Sequence, residues 1–181
     1  AMMFDRLSRN TEWMKVMVGL PEEEAAAINQ DCIRSLRLQQ LVFSRWTQVM
    51  YRFEKEMYAN PEQDLNTLWW NLVEKYQLLT RPEGRNQPDW ASKIHIALYP
   101  CYYHNYQLGA LLASQLHHYI VTNVTNSQDM ANECYIGNKA VGEWLQEYVF
   151  NPGRCYEWND MIEKATGEKL TAAYYKMQFV D

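Results

Sequence analysis

The sequence predicts an all-α protein. Long stretches of this chain of 181 residues contain neither proline nor glycine, and only 7 Gly and 6 Pro occur in total. Within these stretches apolar residues recur at steps of three and four, which is the spacing of one helix face, and no stretch shows the sustained alternation of a half-buried strand. We therefore expect a single helical domain over residues 1–181 with at least six helices.

The longest predicted helix covers residues 21–58. Pro21 suits the first helical position, and the three glutamates that follow it suit the first turn, where the helix dipole favours negative charge. Its apolar positions are Ile28, Cys32, Ile33, Leu36, Leu41, Phe43, Trp46, Met50, Phe53 and Met57. A second helix is expected behind it, with Asn60 as the N-cap and Pro61 at the first helical position, ending before Arg81.

The segment 80–101 is predicted to be a loop-rich connection. Its helix-breaking residues are Pro82, Gly84, Pro88 and Pro100. Proline removes a backbone donor and fixes φ, so a continuous helix is excluded here. The later part, residues 93–99, is short and rich in apolar residues, which fits either a long connection or a short strand.

The carboxyl-terminal half is predicted to hold further helices. Two of them cover residues 102–121 and 129–150, and Gly137 and Gly142 would allow close contact between helices. A short helix follows and ends at Gly167, because glycine commonly occupies the left-handed position after the last turn.

Composition and charge exclude several classes of function. The net charge is -5 without any extended basic patch, which argues against nucleic-acid binding. No apolar run reaches the ~18 residues of a membrane span, and the first ten residues do not resemble a signal peptide. The four cysteines show no C-x-x-C spacing, so neither a zinc knuckle nor a redox pair is indicated.

The histidines and cysteines indicate no catalytic centre of their own. The H-E-x-x-H pattern of a zinc peptidase is absent, and the adjacent His117 and His118 would point about 100° apart on a helix. We interpret them as helix-surface or interface residues. Cys101 and His104 could form a nucleophile pair, but no orienting carboxylate accompanies them, and a buried small apolar role for Cys101 is the alternative.

A cluster of hydrogen-bond donors lies between residues 93 and 106. Its members are Lys93, His95, Tyr99, Tyr102, Tyr103, His104 and Tyr106. A cation, an imidazole and phenols at one loop–helix junction could hold an anionic group and donate to a developing oxyanion. The alternative is that these tyrosines only pack in the core.

The pattern in this cluster resembles the zinc peptidyl-dipeptidases of the angiotensin-converting-enzyme type, with a looser likeness to thimet-type oligopeptidases. That family has a K-x-H element, a short loop with proline, and a Y-x-x-Y pair at a helix start. Here Lys93 and His95 are followed by Pro100 and then by Tyr103 and Tyr106. The resemblance implies that Lys93 and Tyr103 bind the substrate's free carboxylate, while His95 and Tyr106 stabilise the tetrahedral intermediate.

The resemblance continues beyond the cluster. Gln115-Leu116-His117 is similar to a Q-x-H stretch of the family, and residues 150–167 resemble its carboxyl-terminal helices. Two positions depart from the animal enzymes. One extra residue before Tyr103 makes Tyr102 a rival carboxylate partner, and Asn105 replaces the arginine that binds chloride there. The three-residue step to Tyr106 favours Tyr103.

The resemblance covers the whole chain but only the last third of such a peptidase. It implies a multi-helical C-terminal subdomain of a gluzincin-type enzyme whose zinc ligands lie upstream of residue 1. The chain would form part of the substrate cleft, bind no zinc and be inactive alone. Its expected partners are the peptide substrate and the missing N-terminal part, and its exposed apolar surface could favour self-association.

Two questions stay open at the level of sequence. The alternative function is a stand-alone helical interaction protein without catalytic activity. The compartment is also undetermined, since a bacterial cytoplasmic or periplasmic location would fit the residues equally well.

Overall fold

The computed structural model describes all residues 1–181. The chain is 69% helical and contains no strands, so the predicted all-α class is confirmed. Its nine α-helices are α1 Met2–Asp5, α2 Thr11–Val18, α3 Glu22–Ala59, α4 Leu65–Gln77, α5 Ile94–Ala97, α6 His104–Tyr119, α7 Lys139–Leu145, α8 Trp158–Thr166 and α9 Ala173–Phe179. None of these helices combines the length and the apolar character that crossing a bilayer requires.

Helix α3 confirms the long helix predicted over residues 21–58 to within one residue at each end. The predicted start of α4, in contrast, is wrong. Its N-cap is Asp64, whose side chain accepts a hydrogen bond of 3.0 Å from the backbone N–H of Thr67. Asn60 and Pro61 instead belong to the turn that ends α3. The side chain of Gln63 closes this turn by donating to the carbonyl of Asn60 at 2.8 Å.

The connection between α4 and α6 holds short helical turns rather than a strand. A 3₁₀ turn spans Asp89–Ser92, and α5 follows directly after Lys93. The strand alternative for residues 93–99 is therefore wrong. Ile96, on the single turn of α5, is 8% exposed and packs into the apolar core, so burial of one side chain stabilises a helical turn too short to form alone.

The region 129–150 differs most from its prediction. Residues 129–138 form turns, and the helix begins at α7 with Asn138 as its N-cap. Tyr135 and Gly137 have φ angles of 62° and 69°, in the left-handed region that a continuous helix excludes. Neither Gly137 nor Gly142 lies in a close contact between helices, because a Cβ at either position would meet no atom within 4 Å.

The carboxyl-terminal helices agree better with the sequence. Helix α8 ends at Gly167, which has a φ of 87° and donates its N–H to the carbonyl of Glu163 at 2.8 Å. Gln115 of α6 is 1% exposed and binds the connection that follows α8. Its amide nitrogen donates to Thr166 at 2.9 Å, and its amide oxygen accepts from the backbone of Thr171 at 3.1 Å. Gln115 thus serves the packing of these helices.

By its internal contacts the chain divides into two compact units, residues 39–108 and residues 1–38 with 109–181. The core of the first unit consists of Val49, Met50, Phe53, Trp69, Val73, Ile96 and Tyr103. The core of the second consists of Met3, Ala113, Leu116, Ile120, Val121, Tyr135, Val141 and Leu145. That the two form one domain stays a prediction.

Phe53 is the centre of the core of residues 39–108, and we expect its truncation to be strongly destabilising. Its side chain is fully buried and makes an edge-to-face contact with Trp69 at 5.2 Å between ring centroids. Phe53→Ala should lower the free energy of unfolding by about 3–5 kcal/mol, since it leaves a cavity among rigid rings. Urea titration followed by circular dichroism measures this change.

The same substitution at Phe150 is the matched control, because that ring is 58% exposed. Phe150→Ala should alter the free energy of unfolding by less than about 0.5 kcal/mol. Equal effects at the two positions would contradict the core assigned to residues 39–108.

Candidate active site

The four predicted site residues all lie in the unit of residues 39–108, at the passage from α5 to α6. Lys93 is the N-cap position of α5, and His95 lies on its single turn. Tyr103 comes directly before α6, and Tyr106 lies in its first turn, where its N–H donates to the carbonyl of Tyr103 at 3.2 Å. The burial of Ile96 and Tyr103 fixes both ends of this passage in one core.

A buried carboxylate holds the turn between α5 and α6. Glu54 of α3 is 6% exposed, and its side chain accepts a hydrogen bond from the backbone N–H of Cys101. Cys101 has a φ of 57°, which the turn requires. Its side chain is exposed, so the predicted buried role is wrong. The ring of His104 packs against Tyr51 at 6.1 Å between centroids.

His95 and Tyr106 form a direct hydrogen bond. Nε2 of His95 lies 3.0 Å from the hydroxyl oxygen of Tyr106. The imidazole is half-buried among aromatic side chains. Its ring centroid lies 5.0 Å from that of Tyr103 and 5.4 Å from that of Tyr106, both in edge-on orientation. Tyr102 stacks on the same imidazole at 6.4 Å. The structure thus brings His95 together with both tyrosines of the Y-x-x-Y pair.

The His95–Tyr106 bond fits two arrangements of the proton. If Tyr106 donates to His95, the phenol proton lies between the two groups. If Nε2–H of His95 donates to Tyr106, the phenol proton is free to point to another acceptor, and the imidazole polarises the O–H bond. Only the second arrangement leaves a donor available to a reacting oxygen.

Tyr103 is buried, and its hydroxyl has a protein partner. The indole N–H of Trp46 donates to the hydroxyl oxygen of Tyr103 at 2.8 Å. Burial is the main reason that the pKa of Tyr103 lies above the usual value for tyrosine, although the Trp46 bond opposes it. Tyr102, the rival residue, is 48% exposed. The two neighbouring tyrosines therefore have different surroundings.

Lys93 lies over aromatic faces. Its ammonium nitrogen is 5.6 Å from the ring centroid of Trp46 and 6.0 Å from that of Trp69. None of the salt bridges within 4 Å in the structure includes Lys93. Asp89 accepts hydrogen bonds from Arg85, which is the main reason that its pKa lies below the usual value, and the charge of Lys93 also contributes to lowering this pKa.

An open pocket of about 850 Å³ lies beside Lys93. Its apolar wall is formed by Trp46, Trp69, Trp70, Val73 and Leu79. The loop of residues 80–89 supplies its polar side. The ammonium group of Lys93 thus borders a space large enough for a peptide side chain.

The histidines at positions 117 and 118 have structural partners. Nε2 of His117 lies 2.8 Å from the carbonyl oxygen of Met130, and Nδ1 contacts the hydroxyl of Tyr135. Because a carbonyl only accepts, Nε2 carries the proton and Nδ1 accepts. Burial lowers the pKa of His117. The ring of His118 contacts that of Tyr174 in a tilted orientation, at 4.4 Å between ring centroids. His117 is thus half-buried, and both of its ring nitrogens have partners within the protein.

Two residues that the sequence reasoning did not assign complete the site. Trp46 contacts Lys93 and Tyr103, and Glu54 holds the preceding turn. Trp46 was visible only as one of many apolar positions along α3, and no spacing marks its N–H as a donor. A glutamate on an otherwise apolar face was the only signal for Glu54.

The fold and site define an all-helical protein with a basic residue, an imidazole and two phenols at one helix start. The family model described as angiotensin-converting enzyme, Peptidase_M2, matches residues 12–180. The chain therefore belongs to this family of peptidases, which is zinc-dependent in general. No curated protein and no solved structure matches it.

Proposed function

We propose that this chain forms the C-terminal part of the substrate cleft of a zinc peptidase that removes dipeptides or short pieces from peptide carboxyl termini. Membership of the peptidase family supports the class of reaction. The observation that carries the assignment to this site is the 3.0 Å contact of His95 with Tyr106, beside Tyr103 and Lys93. This arrangement agrees with the roles that the family resemblance implies.

His95 and Tyr106 are the proposed catalytic residues. Attack on a peptide carbonyl places negative charge on its oxygen, and a preorganised donor stabilises that charge more than it stabilises the substrate. With Nε2–H of His95 donating to Tyr106, the phenol is polarised and its proton is free for the oxyanion. His95 then contributes through Tyr106, because its hydrogen bond leaves the phenol proton free to stabilise the oxyanion.

Lys93 and Tyr103 are the proposed binding residues for the substrate's free carboxylate. Lys93 forms no salt bridge within 4 Å, so its ammonium group can form a charge-assisted hydrogen bond with an anionic ligand. The hydroxyl of Tyr103 accepts from Trp46, so its proton can be donated to the same carboxylate. The adjoining pocket offers room for the terminal side chain of the substrate.

On this proposal the catalytic zinc is not held by this chain. The structure contains no group of three or more His, Cys, Asp or Glu side chains that could hold a metal ion. Both ring nitrogens of His117 are occupied by protein partners. We propose that the zinc ligands belong to another part of the protein, so no chemical step on this chain is assigned to a metal.

The proposal predicts a difference between this chain and a longer polypeptide that also carries the metal-binding part. The purified 181 residues should hold no stoichiometric zinc by elemental analysis and should cleave no peptide. The longer polypeptide should remove pieces from the carboxyl end of a peptide with a free acid terminus, and mass spectrometry identifies the products.

Two results would contradict this proposal. One zinc per washed 181-residue chain would identify some of its four histidines as unrecognised ligands. A longer polypeptide that binds zinc but cleaves no peptide would favour the alternative function, a helical interaction protein.

A further inference from the structure

Trp46 contacts both proposed carboxylate-binding residues. Its indole N–H donates to the hydroxyl oxygen of Tyr103 at 2.8 Å, and its ring lies 5.6 Å from the ammonium nitrogen of Lys93. Lys93 precedes α5 and Tyr103 precedes α6, so they belong to different backbone segments. The long helix α3 provides Trp46 as a common support for both.

The bond from Trp46 determines what Tyr103 can do. A phenol has one proton to donate, and its oxygen can accept. Because the indole nitrogen is only a donor, the Tyr103 oxygen must be the acceptor in this bond. The phenol proton is therefore left for a second partner, and an incoming carboxylate is a strong acceptor for it.

The ring of Trp46 also provides a neutral support for Lys93. Aromatic faces attract an ammonium ion without neutralising its charge. A neighbouring carboxylate in the same place would compete with an anionic ligand, whereas Trp46 and Trp69 leave the charge of Lys93 available. The two indoles contact each other edge-to-face at 5.7 Å between centroids, which fixes the orientation of the Trp46 ring.

We infer that Trp46 is a positioning residue that orients Lys93 and Tyr103 together toward a free carboxylate and so determines selectivity for peptides with an unblocked terminus. This inference rests on the function proposed above and adds a residue to it. Trp46 itself forms no bond with the substrate. Trp46 acts indirectly, because it fixes the direction in which Tyr103 can donate its proton and the position of the Lys93 ammonium group.

The test uses steady-state kinetics of the longer, active polypeptide on one peptide as free acid and as terminal amide. Trp46→Phe keeps an aromatic face for Lys93 but removes the N–H, so KM for the acid should rise about 3–10-fold with kcat nearly unchanged. Trp46→Leu also removes the ring face and should raise KM by a further factor of about 2–5. Cleavage of the amide should change by only about 1–2-fold.

Trp90→Phe is the matched control. It removes a comparable indole bond, from Trp90 to Asn66 at 3.1 Å, within the same unit of residues 39–108, and it leaves the backbone bond from Lys93 to the carbonyl of Trp90 in place. It should leave the ratio of acid to amide cleavage unchanged. A double variant gives a second readout: in a Tyr103→Phe background, Trp46→Phe should have little further effect, because the acceptor of its bond is already gone.

The outcomes separate this inference from the proposed function. If Lys93→Ala weakens only the acid substrate while Trp46→Phe changes acid and amide equally, Trp46 is merely structural and the inference is overturned, whereas the function stands. If the effects of Trp46→Phe and Tyr103→Phe simply add, the inference is overturned as well. An unsubstituted polypeptide that cleaves no peptide overturns both.

Discussion

Tyr106→Phe should lower kcat of the active polypeptide by about 10²–10³-fold with little change in KM, as expected for a donor used mainly when charge develops on the carbonyl oxygen. The change removes one hydroxyl and keeps the ring that packs against Tyr103 at 5.0 Å between centroids. Pre-steady-state and steady-state kinetics on a single peptide measure the effect on the chemical step.

His95→Ala should act in the same direction as Tyr106→Phe. Since the two side chains share one hydrogen bond of 3.0 Å, their effects should not add in the double variant. Tyr51→Phe is the matched control, because that phenol is 40% exposed and its ring lies 6.1 Å from the ring of His104. A loss confined to KM, or a control that is equally impaired, would remove Tyr106 from the catalytic role.

The second large effect is expected from Lys93→Ala. This change removes a charge-assisted hydrogen bond to a carboxylate that is present in both the substrate and the transition state. The loss should therefore raise KM, by about 10–100-fold, and leave kcat nearly unaltered. A peptide with an amidated terminus offers no charge to Lys93, so its cleavage should hardly change.

Lys55→Ala is the control for Lys93→Ala, because Lys55 is an exposed lysine of the same unit. It should leave both substrates unaffected. An equal loss of Lys93→Ala on the acid and the amide would mean that Lys93 only stabilises the packing on Trp46 and Trp69. The assignment of a carboxylate-binding pair would then have to be dropped.

The choice between Tyr103 and Tyr102 for the proposed carboxylate-binding pair shows what the spacing of the motif can and cannot predict. The step of three residues selected Tyr103 over Tyr102 because it preserves the relation to Tyr106. The structure adds that Tyr103 accepts from Trp46 whereas Tyr102 is largely exposed. No spacing rule contains that contact, since Trp46 and Tyr103 are 57 residues apart in the sequence.

The errors in the fold have a common physical origin. Asn60 and Asp64 are both good N-cap residues, and only the bonds of Gln63 to the end of α3 decide that the helix starts after the second. Residues 93–99 lack any strong propensity, so burial of Ile96 decides between strand and turn. The left-handed conformation of Tyr135 is likewise held by its packing in the core, against its own preference.

The sequence by itself determined the all-α class, the bounds of α3, the end of α8 at Gly167 and the four residues proposed for the site. The helical features depend on local quantities, namely the periodicity of apolar residues and the conformational freedom of glycine. The four site residues follow from the resemblance of their motif to that of the peptidase family. Only the tertiary structure decided which side chains contact and orient these four residues. Their partners Trp46 and Glu54 come from a distant helix, and such contacts depend on how whole elements pack, which no local pattern encodes.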